Sequence, residues 1–375
     1  MKRYRLMVAF AVMALVFAAC TQAADTTTTA SGDDGGTTAP ADDGGTDGGA
    51  AGDTLAAVTD RGTLNCGVND AVPGFGFTDA EGDFSGFDVD YCHAVAAAVL
   101  GDPDAVEFTA LTAQQRFTAL QSGEVDVLIR NTTRTSSRDG TEGATFLTTT
   151  FYDGQGMMVR SDSGITDIEG LAGSAICVLS GTTTELNLAT RMAGIDFEPL
   201  TFEDNETLQE AFVAGQCDGW TSDKSQLAGV RSAFPEGPEA LTILDETFSK
   251  EPLGPVTADG DTQWAQMVDW VVLATIQAEE FGIASDNVDT FEDTEDLGIR
   301  RLLGLEFEDD EGNLTTFDPQ LGFDRVTWVQ DVISAVGNYG EIFDRNVGPD
   351  TPLGLERGLN ALWTDGGLMY APPYR

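Results

Sequence analysis

Two residues of opposite charge stand out by what precedes them. Arg138 closes the run Thr132-Thr133-Arg134-Thr135-Ser136-Ser137, and Asp223 closes Gly219-Trp220-Thr221-Ser222. Between them in the chain lies a third hydroxyl-rich turn, Ser180-Gly181-Thr182-Thr183-Thr184. An arginine presents a planar fork that meets a carboxylate with two parallel hydrogen bonds. Thr182 and Thr183, at the start of an expected helix, can add hydroxyls and unpaired backbone N–H groups to the same anion. An aspartate suits a cation. Brought together, these residues make an anion site beside a cation site, to which Thr133 and Asn131 would add turn oxygens or amides. Taken singly, each has a plainer explanation: a surface charge for Arg138, a helix cap for the threonines, a solvated loop position for Asp223. Arg130 and Arg134 flank the Thr132-Thr133 pair, and either could meet an acidic group or close a structural salt bridge.

Catalytic and metal chemistry have little to work with. The 375-residue chain holds a single histidine, His93, so a Ser/His/Asp or Cys/His unit would have to run through it. Beside Cys92 on an expected helix, His93 reads as an ordinary helix residue. There is no GxxxxGK[ST] run to cradle a nucleotide's phosphates. With 63 acidic against 19 basic side chains, the formal net charge of −44 excludes nucleic acid as a partner. Seven of those acids lie in residues 21–53 and the rest are spread along the chain, as on a solvated surface. Setting Cys20 aside leaves Cys66, Cys92, Cys177 and Cys217, with no CxxC spacing and no histidines to complete a zinc set. An even number in an exported chain favours disulfides. Divided two per lobe, they would pair as Cys66–Cys92 and Cys177–Cys217; four buried free thiols are the alternative. No metal and no cofactor are expected.

The elements that must position these residues begin well inside the chain. Lys2, Arg3 and Arg5 precede an apolar run from Leu6 to Ala19, a signal-peptide pattern too short to span a bilayer comfortably. It ends in Phe17-Ala18-Ala19-Cys20, which resembles a bacterial lipobox, although leucine is usual where Phe17 stands. Residues 1–20 therefore read as a signal peptide with lipidation at Cys20, and cleavage at an ordinary small-residue site is the alternative. Residues 21–53, nearly all Thr, Ala, Gly and Asp, cannot bury enough apolar surface to offset their ordering entropy and read as a disordered tether. From residue 54 strands and helices alternate: strands at 64–68, 106–111 and 125–129, helices at 86–100 and 113–122. The pattern recurs with strands at 175–179, 197–202 and 217–221 and helices at 182–193 and 207–214. Alternation of this kind implies α/β lobes with doubly wound, mostly parallel sheets, ligand gathering at the carboxyl ends of the strands.

The order Gly62-Thr63-Leu64, Gly86-Phe87-Asp88-Val89-Asp90, Ser122-Gly123-Glu124-Val125-Asp126 and Thr132–Arg138 resembles the amino-acid-binding proteins of bacterial ABC importers. Arg130-Asn131-Thr132-Thr133, Tyr152-Asp153-Gly154-Gln155-Gly156, Lys250–Pro255 and Gly358–Trp363 look like the general L-amino-acid-binding branch. The resemblance covers about residues 54–375. It implies a two-lobed type II periplasmic-binding-protein fold: lobe 1 over 54–151, lobe 2 over 152–251, and 252–375 returning to lobe 1 with a helical extension. It also implies a pocket in which Arg138, Thr182 and Thr183 take an amino acid's carboxylate and Asp223 its ammonium, with Thr133, Asn131 and Arg130 nearby. Many relatives carry an aromatic clamp after the first strand. Val72 stands there, with Phe75 and Phe77 close by, so the stacking wall is either reduced or supplied by Phe75. The implied role is capture of L-amino acids, a broad range of polar ones, by hinge closure at Phe151–Asp153 and Lys250–Pro255. A monomer, held outside the cytoplasm by a lipid anchor, would then deliver them to permease subunits of an importer. Two alternatives are an amino-acid-sensing receptor domain and a cyclohexadienyl dehydratase-like enzyme on the same fold.

Overall fold

The computed structural model describes residues 53–375; the expected signal peptide, the lipidation site Cys20 and the tether lie outside them. The alternation of apolar strands and helices yields two five-stranded sheets. The first runs, in spatial order, Val106–Ala110, Leu64–Val68, Val127–Leu128, Val256–Ala258 and Ala144–Phe146. The second runs Phe197–Phe202, Ser174–Leu179, Gly219–Asp223, Gln155–Arg160 and Leu241–Ile243. In each sheet four strands point one way and one runs against them. The reversed strand is in both cases the one the chain enters just after passing from one sheet to the other: Gln155–Arg160 on the way out, Val256–Ala258 on the way back.

Those two passages pair with each other. Phe151–Asp153 and Glu251–Leu253 form an antiparallel ladder between the sheets, with Glu251 opposite Asp153 and Leu253 opposite Phe151. Two strands in one short ladder give a connection that can bend without unravelling, because few hydrogen bonds define it.

Glycines end several helices where the periodic pattern predicts. Gly101, with φ of 75°, caps Phe87–Leu100 in the left-handed conformation that costs a glycine little. The expected pairs of cysteines are joined: Cys66–Cys92 ties the first strand to helix Phe87–Leu100, and Cys177–Cys217 ties strand Ser174–Leu179 to the segment leading into its neighbour Gly219–Asp223. Each link lies within one lobe, so neither opposes relative movement of the lobes.

The largest apolar core joins the first sheet to helix Phe87–Leu100, the 19-residue helix Thr262–Glu280, and helices Trp328–Val336 and Tyr339–Asn346. The C-terminal segment thus completes the core of lobe 1. It also grips the crossing strands: Asn360 accepts from the Tyr152 N–H at 2.6 Å and donates to the Tyr152 carbonyl at 3.2 Å. Tyr339 donates to the Thr150 carbonyl at 2.9 Å.

Candidate functional site

The polar residues of interest converge because they follow the carboxyl ends of strands that point toward the same gap. From the first sheet come Asn69, after Leu64–Val68, and Arg130 with Asn131, after Val127–Leu128. Arg116 and Arg138 open or occupy short helices beyond the same edge. The second sheet contributes Thr182–Thr184 after Ser174–Leu179, Asn205 after Phe197–Phe202, and Asp223 as the last residue of its own strand. Together they line a small, largely polar cavity of about 20 Å³ between the sheets.

Arg138 lies at the foot of this cavity. Thr135 caps its helix by accepting the Arg138 N–H, which aims the side chain inward. Its guanidinium donates to the Thr133 carbonyl at 3.0 Å and, across the gap, to the Gly181 carbonyl at 3.4 Å. It stands 5.6 Å from the centre of the Phe117 ring. Burial lowers its pKa, against the opposing pull of Glu251 and Asp223. Among the described residues no carboxylate lies within salt-bridge distance of it.

Asp223 faces it from the other side. It precedes helix Lys224–Ser232 but makes no capping bond, and its Oδ1 is buried without a partner. Burial raises its pKa well above the ordinary carboxylate value. The charges of Asp153 and Glu251 raise it further, and Arg116 and Arg138 pull it down. An unsatisfied buried carboxylate is costly, so this one is poised for a cationic donor.

The threonine turn is divided in its duties. Thr182 is a helix cap: its hydroxyl accepts the Glu185 N–H and donates to the Leu179 carbonyl at 2.6 Å. Thr183 donates its hydroxyl to Glu251 at 2.8 Å and stands 3.5 Å from the Thr133 hydroxyl across the gap. Both residues nevertheless border the cavity, at a helix start whose first N–H groups have no acceptor within the helix. Asn131 holds an unusual backbone, φ of 32°, secured by its N–H bonding to Asp88 at 2.6 Å and by Asn69 donating to its side-chain oxygen. A non-glycine residue in that region persists only where its surroundings hold it.

One expectation needs correction. Phe75 is not part of the cavity wall. It is 1% exposed in the apolar core, 5.1 Å from the Phe151 ring and 5.8 Å from Phe87, because the chain turns inward at Gly74. Arg134 points outward into an ion pair with Asp139 at 3.1 Å, while Arg130 is buried at the cavity. His93 donates its Nδ1–H to the Pro103 carbonyl at 2.6 Å and packs on Phe108, a structural position. Arg116, Asn69, Asn205, Ser222 and Gln226 line the cavity without having been singled out in the sequence. Their signal was positional: each lies at, or one short turn beyond, the carboxyl end of a strand or the start of the helix that follows.

The chain from 64 to 286 matches the family model of bacterial extracellular solute-binding proteins, family 3. The chain belongs to that family. The general L-amino acid-binding periplasmic protein AapJ of Rhizobium johnstonii is 48% identical over 328 residues, covering 87% of this chain and 94% of that protein. The glutamate/glutamine/aspartate/asparagine-binding protein BztA of Rhodobacter capsulatus is 47% identical over 331 residues, covering 88% of this chain and 95% of its own. Among solved structures, a periplasmic binding protein of an ABC transporter from Brucella ovis, with glutathione bound, superposes with a TM-score of 0.81. It is 48% identical and covers 86% of this chain and 99% of that one. These family members are solute-binding proteins, and their two-lobed fold is the one described above.

Proposed function

We propose that this protein captures L-amino acids outside the cytoplasm by closing its two lobes over them, and hands them to the permease of an ABC importer. The observation that carries this reading is the opposition, in one cavity, of an arginine and an aspartate that have, among the described residues, no carboxylate partner and no donor respectively. That pair matches the carboxylate and ammonium borne on one carbon by every α-amino acid. In this reading Arg138 and the N–H groups at Thr182–Thr184 receive the carboxylate, Asp223 receives the ammonium, and Thr133 and Asn131 border the ligand's backbone. Polar amino acids are its range, in keeping with BztA, a glutamate/glutamine/aspartate/asparagine-binding protein. A monomer tethered through a lipid on Cys20 fits the sequence of the first 53 residues. Among the described residues no helix is long and apolar enough to cross a membrane. Neither the enzyme nor the receptor-domain alternative has an observation of its own in the cavity.

Calorimetric titration of ligand-free protein with the twenty amino acids tests the reading. Binding of several polar amino acids is expected, with Arg138→Ala weakening all of them at least ~100-fold through loss of a buried charged contact. Absence of binding by every amino acid, or affinity undiminished in Arg138→Ala, would overturn it.

A further inference from the structure

An amino acid's head group accounts for one arginine and leaves two others unexplained. Arg116 is 3% exposed and Arg130 is 4% exposed, and both line the same cavity as Arg138. Among the described residues every ion pair engages some other arginine. Arg116 has a buried Nε with no partner. Its single bond, 3.4 Å from Nη2, goes to the Gly181 carbonyl that Arg138 already shares. Arg130 commits only Nε, to the Leu111 carbonyl at 2.6 Å, so both of its terminal nitrogens are without a protein acceptor. Asp70 and Asp88 lie near enough to favour its charge, but neither comes within salt-bridge distance of it. The cations strain one another: Arg116 is less basic than an ordinary arginine, first through burial and then through the charges of Arg138 and Arg130.

We propose that Arg116 and Arg130 form a second anion subsite, so that the preferred ligand carries a second carboxylate beyond its α-amino-acid head. The inference rests on the amino-acid reading for the head group and adds to it the chemistry of the side chain. A neutral amino acid brings one carboxylate and one ammonium, and leaves the cavity's surplus of positive charge unchanged. A second carboxylate is the part of a ligand that reduces it, while supplying acceptors to donors that have none. Acidic amino acids have this chemistry. So does glutathione, which joins a γ-linked glutamyl head to a distant carboxylate.

Ligand-free full-length protein is titrated with glutamate, glutamine, aspartate, asparagine and glutathione at neutral pH. Each amide matches its acid in size but is neutral and exchanges one acceptor oxygen for an NH2 donor. Glutamate is expected to bind ~10- to 100-fold tighter than glutamine, the usual worth of hydrogen bonds to a charged group. Arg116→Met should remove most of that ratio while leaving glutamine within about threefold of its original affinity. Arg116→Lys, which keeps the charge without the fork, should fall between the two. Glutathione binding tighter than either acid, and lost in Arg116→Met, would also support the subsite and identify the extended ligand as its source. A glutamate-to-glutamine ratio near one in the unmodified protein overturns the proposal and leaves amino-acid capture standing, whether or not the variants fold. Equal loss of both ligands in Arg116→Met overturns it too. Failure of every ligand to bind overturns both readings together.

Discussion

At the scale of single residues, the cavity is organised by groups whose ordinary partners are missing. Asp223 holds a proton above the usual carboxylate range because it is buried and because Asp153 and Glu251 lie close. A ligand ammonium favours its ionised form, so capture should expel a proton. Calorimetry in buffers of different ionisation enthalpy should therefore record proton release in mildly acidic solution, none in Asp223→Asn, and affinity that weakens as the pH falls. Asp88 offers a test that needs no ligand. Its pKa is pushed up to about 7, chiefly by burial, against the Asn131 N–H and Arg130 that lower it. A carboxyl with a raised folded value binds more protons folded than unfolded between about 4 and 7. Its contribution to stability is complete below the unfolded value and is lost as the pH rises through about 7. Asp88→Asn keeps an acceptor for Asn131 and should abolish that dependence. Denaturant unfolding across this range should show a slope that differs from the parent by up to ~1.4 kcal/mol per pH unit.

At the scale of elements, each lobe is stapled internally and left free with respect to the other. The two disulfides close loops of 26 and 40 residues. By loop entropy each is worth roughly 3–4 kcal/mol against unfolding. Replacing Cys177 and Cys217 by serine should lower the unfolding free energy by about that amount, with ligand affinity changed less than threefold if folding is retained. A large affinity loss with unchanged stability would contradict an intralobe role. The crossing strands carry the opposite design, a ladder of three residue pairs braced by Asn360 and Tyr339 from the C-terminal segment. The sequence made this segment visible as a helical extension. Its role as the brace of the crossing was hidden, because Asn360 and Tyr152 meet only across 208 positions of chain.

At the scale of the molecule, the lobes touch across the cavity. Gln114 donates to Ser180 at 2.8 Å, Asn205 to Asn69 at 3.4 Å, and Arg138 to Gly181. Gly229, inside helix Lys224–Ser232, lies so close to lobe 1 that a methyl group there would meet the Pro73 carbonyl oxygen at 2.5 Å. Alanine is the better helix former by about 1 kcal/mol, so Gly229→Ala should leave the ligand-free fold no less stable. It should nevertheless prop the lobes apart. Small-angle scattering should show a larger radius of gyration in the presence of a bound amino acid, with weaker affinity, although Gly229 does not line the cavity. Unchanged affinity and closure in this variant would remove the contact from the closing mechanism.

What the sequence determined alone was the class of fold and the chemistry on offer. Alternating apolar strands and helices require sheets covered by helices, a lone histidine leaves acid–base catalysis little material, and hydroxyl-rich turns carry Arg138 and Asp223. Local patterns report what is near in the chain, and those features are local. Tertiary structure decided which charges are buried and which are paired. Arg134 and Arg130 are four positions apart in similar surroundings, yet one reaches solvent and Asp139 while the other is enclosed with Arg116 and Arg138. Phe75, an aromatic next to the expected clamp position, was drawn into the core by Phe87 and Phe151 instead. Burial of these groups depends on contacts between segments far apart in the chain, such as Phe75 with Phe151 and Arg116 and Arg138 with Gly181. No window of sequence contains both halves of such a contact, so only the folded arrangement could resolve them.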